Sequence, residues 1–313
     1  MTEPSLREVE HDILVDAPAD AVYRLIAEVE NWPRIFPPTV YVDQVERSGQ
    51  KERIRIWATA NGEAKNWTSR RRLDEDALRI DFRQEVSTPP VAAMGGAWVV
   101  EPLSDTTCRV RLLHDYRAIG DDPEKLAWID AAVDRNSRAE LAGLKTNLEL
   151  AAASDDLLMS FEDTVRVNGA AKDVYDFVNE AQLWKDRLPH VARVVLDEPS
   201  PGLQTLEMDT LTKDGSSHTT KSVRVCFPHS RIVYKQTTLP ALMTLHTGRW
   251  QFDEDSAGVL ATSQHTVVIN PASITKVLGS GAGLPEARDF VRNALSTNSR
   301  ATLGYAKDYA ESR

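Results

Sequence analysis

The sequence predicts an α+β protein made of two tandem copies of one domain. Each copy is a curved antiparallel sheet wrapped around a long C-terminal helix, with an interior pocket. Three observations predict it. The chain of 313 residues repeats itself in order, each repeat opens with strand-like alternation, and each closes with one long amphipathic stretch. One core rarely organises a chain of this length, so two domains of about 150 residues are the natural division.

Six ordered matches carry the repeat. Val22-Tyr23 returns as Val174-Tyr175, Trp32 as Trp184, Phe36-Pro37 as Leu188-Pro189, and Arg79–Gln84 as Arg231–Gln236, all 152 residues apart. Gly96-Ala97-Trp98 answers Gly248-Arg249-Trp250 at the same offset, whereas Asn136-Ser137-Arg138 answers Asn298-Ser299-Arg300 at 162. A single match means little; six in one order mean duplication. The offset grows from 152 to 162, so the second copy carries ten extra residues, placed in a loop at Asn270–Leu284. The join falls at residues 151–156 (AAASDD), small and acidic as a linker should be, giving domains 1–153 and 154–313.

Each element follows from local pattern. Val9, His11, Ile13 and Val15 share one strand face, and Glu8, Glu10 and Asp12 the other. Pro18 opens a short helix through Val22, Leu25, Ile26 and Val29, which ends before Trp32-Pro33. Strand-like runs follow at Val40–Glu46, Arg53–Thr59, Lys65–Leu73, Leu78–Glu85, Ala92–Glu101 and Cys108–Tyr116; Asn61-Gly62 suits a tight hairpin. Asp122 caps and Pro123 begins a long helix whose apolar stripe is Leu126, Ile129, Val133, Leu141, Leu144 and Leu148. A sheet that covers one face with a single helix must curl round it, which leaves a cavity between them.

Composition excludes several functions. Lys and Arg total 37 against 47 Asp and Glu, a net charge of -10, which argues against a general nucleic-acid binder. Apolar runs are broken by charge, so no membrane association is expected. Residues 1–12 lack a basic start and apolar stretch, and Cys108 and Cys226, one per half, read as reduced core residues; a cytoplasmic protein is expected. No Cys/His spacing fits zinc, so no metal is expected, and no nucleophile-elbow, H-E-x-x-H or Walker pattern occurs. Gly279–Gly283 lacks the phosphate-loop spacing and reads as an ordinary loop.

The most informative stretch is Lys65–Leu73. Period-two spacing puts Trp67, Ser69, Arg71 and Leu73 on the inner face and Asn66, Thr68, Arg70 and Arg72 on the outer. A guanidinium facing an apolar interior is costly unless paired, so Arg71 has either an internal partner or a ligand to meet. At offset 152 the second copy answers with Thr219, Lys221 and Val223, which assigns the principal pocket to the first copy. Trp32 and Phe36 follow the first helix, where they can roof a cavity or pack in the core. Met94 can line it or fill core, and Asn136 sits on a polar patch of the long helix before Glu140. In the second copy, Trp184 and Asn298 repeat Trp32 and Asn136. His246 and His265 lie on adjacent strands where they can converge, although structural histidines are the ordinary expectation.

The segments Ala17–Val22 with Asn31–Phe36, Trp67–Arg71 and Asn136–Arg138 together resemble the di-domain polyketide aromatase/cyclases of bacterial type II polyketide synthases. The resemblance spans both copies and implies the helix-grip (START-like) fold. It implies an enzyme that takes a poly-β-ketone from an acyl carrier protein, closes the first ring by aldol condensation and dehydrates it, with no cofactor. By position it implies pocket roles for Trp32, Phe36 and Trp67 and catalytic roles for Ser69 and Arg71. The competing expectation is a START-like carrier of a hydrophobic ligand, which has little use for an inward Arg-Ser pair.

Overall fold

The computed structural model describes residues 6–153, 155–211 and 217–313. The chain divides into two compact units, Met1–Ser154 and Asp155–Arg313. The first runs β1 (Arg7–Val15), α1 (Ala19–Ala27), a 3₁₀ turn (Val29–Asn31), α2 (Trp32–Ile35), β2 (Thr39–Ser48), β3 (Lys51–Ala60), β4 (Glu63–Asp74), β5 (Arg79–Val86), β6 (Val91–Pro102), β7 (Cys108–Ala118) and α3 (Pro123–Ala153). Every expected strand is present, extended by a residue or two at most ends.

The second unit repeats the order as β8 (Leu158–Val167), α4 (Ala171–Asn179), α5 (Trp184–Arg187), β9 (Val191–Ser200), β10 (Leu203–Leu211), β11 (Ser217–Phe227), β12 (Arg231–Thr238), β13 (Met243–Asp255), β14 (Gly258–Ile269), α6 (Ile274–Leu278) and α7 (Leu284–Glu311). The sheets are antiparallel with matching order, β1-β7-β6-β5-β4-β3-β2 and β8-β14-β13-β12-β11-β10-β9. Two positions differ from the sequence reading. The added segment 270–284 is no slack loop: α6 lies in it, and Ile274 is buried in one cluster with Met159, Phe161 and Val291. The join is also more regular than a linker: α3 runs to Ala153, and a 3₁₀ turn at Asp155–Leu157 leads into β8, while Ser154 lies outside the described residues.

The long helices explain where the cavities lie. In α3, Leu141 and Leu144 bury in the main core with Ile26, Ile54 and Leu112, while Ile129 and Val133 bury in a separate cluster with Tyr116 and Met94. Between those ends the helix presents Asn136, Ser137 and Glu140 to the interior. Two apolar anchors with a polar turn between them cannot close the gap by collapse, because the polar groups need partners or water. Helix α7 does the same: Leu303 and Ala306 anchor one end, Ala287 and Val291 the other, and Asn298, Ser299 and Thr302 face the gap. Leu144→Ala should cost about 2–5 kcal/mol, as for other fully buried leucines. Gly143 is required here, because a Cβ would strike the Ile35 carbonyl and Pro37 where α2 meets α3.

Candidate active site

Each domain encloses a cavity with about 130 Å³ open to the centre of a water-sized sphere. The first is walled by Trp32, Trp67, Trp128, Met94, Ile129 and Val133, with Asn136, Gln84, His114, Glu140 and Lys65 among its polar groups. Trp32 is fixed by its indole N–H, which donates to the Ile26 carbonyl at 2.9 Å; Asn136 Nδ2 donates to the Thr59 carbonyl at 2.9 Å. Burial pushes the Glu140 carboxyl up to about 8 and holds the His114 imidazole down to about 4. At neutral pH the cavity thus holds a protonated carboxylic acid and a neutral imidazole whose Nδ1 has no hydrogen-bond partner.

Four of the seven residues expected in this domain border the cavity: Trp32, Trp67, Met94 and Asn136. Phe36, Ser69 and Arg71 stand behind the wall. Phe36 stacks on Trp98 at 5.4 Å and meets Trp32 edge-on at 5.3 Å. Arg71, 3% exposed, has an internal partner: its Nε lies 2.7 Å from Glu52 Oε1, directly across the β3–β4 ladder. It donates to the Ile26 and Ala27 carbonyls at 3.4 and 2.8 Å, and its guanidinium lies 5.0 Å from the Trp32 ring centroid. Between the two open alternatives for Arg71, the geometry satisfies the internal-partner one.

The second domain departs from the sequence reading through a slip of one residue. Glu52 opposes Arg71, and Gln204 opposes Arg224. Gln204 follows Glu52 by 152 residues and Arg224 follows Arg71 by 153, so one residue enters between β10 and β11. The counterparts of Trp67, Ser69 and Arg71 are therefore Thr220, Ser222 and Arg224, all bordering the second cavity. Thr219, Lys221 and Val223 lie on the opposite face of β11, because a strand reverses its faces with every residue of shift. The Ser-Arg pair exists in both domains.

What differs is the company it keeps. Arg224, 2% exposed, donates from Nη2 to the Val178 carbonyl at 2.7 Å and lies 5.4 Å from the Trp184 ring, but Gln204 replaces the carboxylate and Nη1 has no hydrogen-bond partner. Around the same cavity, Trp184, His246, His265 and Asn298 all take the expected lining positions. His246 Nε2 lies 2.9 Å from His265 Nδ1, and His265 Nε2 lies 2.7 Å from Ser299 Oγ. Ser263 Oγ donates to Ser299 Oγ at 3.1 Å, and the Tyr234 hydroxyl lies 3.1 Å from His265 Nδ1. Burial, and for His246 the neighbouring ring, keeps both imidazoles neutral: His265 is held down to about 4 and His246 well below its usual range. Gly248 permits this network, since a Cβ there would collide with the Tyr234 hydroxyl. Sequence reasoning missed Tyr234 and Ser263 because it weighed His246 and His265 without the hydroxyls beside them, and it missed Arg224 because of the one-residue slip. Glu140 was visible one turn beyond Asn136, but nothing local announced its shifted carboxyl.

Family models described as polyketide cyclase / dehydrase and lipid transport match residues 15–133 and 159–311, one per domain. The chain belongs to the polyketide cyclase/dehydrase family. Within the family it is 55% identical over 299 residues to a granaticin polyketide synthase bifunctional cyclase/dehydratase from Streptomyces virginiae, covering 94% of this chain and 97% of that one. An actinorhodin polyketide synthase bifunctional cyclase/dehydratase from Streptomyces coelicolor is 44% identical over 316 residues, with 98% of each covered. Among solved structures, the di-domain aromatase/cyclase BexL from the BE-7585A biosynthetic pathway matches at 72% identity and a TM-score of 0.88, covering 98% of this chain and 99% of that one. The cyclase/dehydrase is thus an enzyme with the di-domain aromatase/cyclase fold, not a passive carrier. Among the described residues no helix is long and apolar enough to cross a membrane, and there is no cluster of three metal-ligating side chains.

Proposed function

We propose that this enzyme takes a poly-β-ketone from an acyl carrier protein in the cytoplasm, closes its first ring by intramolecular aldol condensation and brings that ring to the aromatic state by loss of water. One observation carries the reading: the first cavity sets a neutral imidazole and a protonated carboxylic acid among three tryptophans. Flat indole walls hold a conjugated chain in one folded conformer, which removes most of the entropy barrier to ring closure.

The chemistry then needs only weak groups. A methylene between two ketones is acidic, so neutral His114 suffices as base; the carbanion attacks a ketone along the chain, and the new alkoxide takes a proton from Glu140. Asn136 supplies a polar contact to orient a carbonyl. Ser69 and Arg71 act from behind the wall: the Arg71–Glu52 pair fixes Trp32 and the end of α1, and so positions the roof of the cavity. Arg34, Arg70 and Arg72 are the proposed contacts for the acidic carrier protein. Arg70 and Arg72 lie on the outer face of β4, 67% and 60% exposed at their side chains. Product analysis of a reconstituted synthase with and without this protein tests the function. The expected result is one defined aromatic ring with it and a mixture of spontaneous cyclisation products without it. The same mixture in both reactions would overturn it.

A further inference from the structure

Position by position, around its cavity the second domain replaces apolar groups of the first domain with groups that can move protons. Phe82 becomes Tyr234, Met94 becomes His246 and Leu112 becomes Ser263, while His114 and Ser137 are kept as His265 and Ser299. Three simultaneous changes converge on one hydrogen-bonded cluster, and every member is buried. Core packing does not call for this, since the first domain fills the same positions with Phe, Met and Leu.

Among the described residues, three lining this cavity carry a buried polar atom without a hydrogen-bond partner: Gln236 Oε1, His246 Nδ1 and Arg224 Nη1, the last two on residues only 2% exposed. A buried donor or acceptor without a partner costs about 1–3 kcal/mol. Among the described residues no carboxylate lies within ion-pair distance of Arg224, whereas its counterpart Arg71 has Glu52. A cavity that presents an unpaired cation and an unpaired imidazole nitrogen is built to receive an oxyanion beside an acidic C–H.

We propose that the second cavity is a separate catalytic site, where the chain His246–His265–Ser299 relays a proton while Arg224 holds an enolate oxygen, and that its reaction is the elimination of water from the β-hydroxy ketone formed by ring closure. This rests on the ring-closing reading of the first cavity. His246 Nδ1 takes the proton from the carbon between the carbonyl and the hydroxyl-bearing carbon. The C–H electron pair becomes an enolate, whose oxygen Arg224 Nη1 meets. The proton on His246 Nε2 passes to His265 Nδ1, the proton on His265 Nε2 passes to Ser299 Oγ, and the Ser299 proton goes to the departing hydroxyl. The enolate collapses to the C=C bond, the C–O bond breaks, and one water leaves. One proton enters the chain and one exits, so the relay returns with both imidazoles neutral and their tautomers reversed. Ser263 donates to Ser299 Oγ, which leaves the Ser299 proton free for this step.

His246→Met restores the residue type of the first domain and is the direct test. In the full-length protein within the reconstituted synthase, the ring should still close, and a product one water heavier than the aromatic one should accumulate, with dehydration slowed roughly a hundredfold. His246→Gln keeps a hydrogen bond to His265 but cannot carry a proton, so it should give the same heavier product and covers the case in which the methionine variant unfolds. Aromatic product at the wild-type rate from either folded variant would overturn the proposal, as would loss of ring closure itself. The ring-closing reading fails by a different result, namely normal ring closure from folded Glu140→Gln or Trp67→Ala proteins.

Discussion

The two domains have cavities of the same volume, the same frame of strands and the same Ser-Arg pair, yet the pair stands behind the wall of the first cavity and borders the second, and their ionisable groups are arranged on opposite principles. In the first domain the buried arginine is neutralised by Glu52, and the cavity is left to aromatic walls with one acid and one imidazole. In the second domain Gln204 has taken the place of the carboxylate, and the charge of Arg224 faces a cavity lined by joined histidines and hydroxyls. The comparison teaches that a buried arginine can serve as a strut or as a reagent, and that its counter-ion decides which. A paired guanidinium is an internal brace; an unpaired one keeps its donors for a ligand.

The largest expected effect follows directly. Arg71→Ala leaves Glu52 buried and unpaired, so the first domain should lose about 3–5 kcal/mol, whereas Arg224→Ala leaves only a neutral amide and a carbonyl and should cost about 1–3 kcal/mol. Hydrogen exchange read separately over the two domains measures this. Equal losses would erase the distinction between strut and reagent. For turnover the ranking reverses: Arg224→Ala should slow water loss by roughly 10²–10³, the usual effect of removing one oxyanion donor, with ring closure retained. A stopped-time product profile showing both steps intact in a folded Arg224→Ala protein would return Arg224 to a structural role.

A smaller effect separates the domains by pH. Glu140 titrates near 8 when folded, against an ordinary 4.5, so between those values the folded chain holds a proton that the unfolded chain has released. Raising the pH through this window therefore weakens the first domain, by at most about 1.4 kcal/mol per pH unit. His265, held near 4 against an ordinary 6.5, has the reverse effect: acidification through that window weakens the second domain. Lys235, pushed down to about 7 by burial, adds stability to the second domain as the pH rises above 7. From pH 6.5 to 8 the first domain should weaken while the second does not, and Glu140→Gln should flatten the first. The same slope in the Glu140→Gln protein would mean that another group carries it.

The smallest effect concerns delivery of the substrate. Arg70 pairs with Glu85, which Arg53 also holds, and is widely exposed, so replacing Arg70 and Arg72 by Ala should leave stability within about 0.5 kcal/mol. Turnover of carrier-bound substrate should fall several-fold at low salt, and the difference from wild type should vanish as salt screens the contact. A loss that persists at high salt would place the carrier protein elsewhere.

By itself the sequence determined the duplication, the order of elements and the inner face of β4, because period-two and helical patterns are local and the repeated pairs are read in one dimension. Alternation along Lys65–Leu73 correctly placed Arg71 inward, and the polar turn at Asn136 correctly met the cavity. Only the tertiary structure decided what those inward groups meet. Glu52 reaches Arg71 because β3 and β4 pair in one register, and one added residue between β10 and β11 moved the true counterpart from Val223 to Arg224. Since faces alternate with every residue, that single insertion exchanges an apolar residue on the opposite face of β11 for a cation that borders the cavity. The joining of His246, His265 and Ser299 belongs to the same class of fact. Three residues far apart in the chain form one proton path only when β13, β14 and α7 are packed together, and no local pattern encodes that distance.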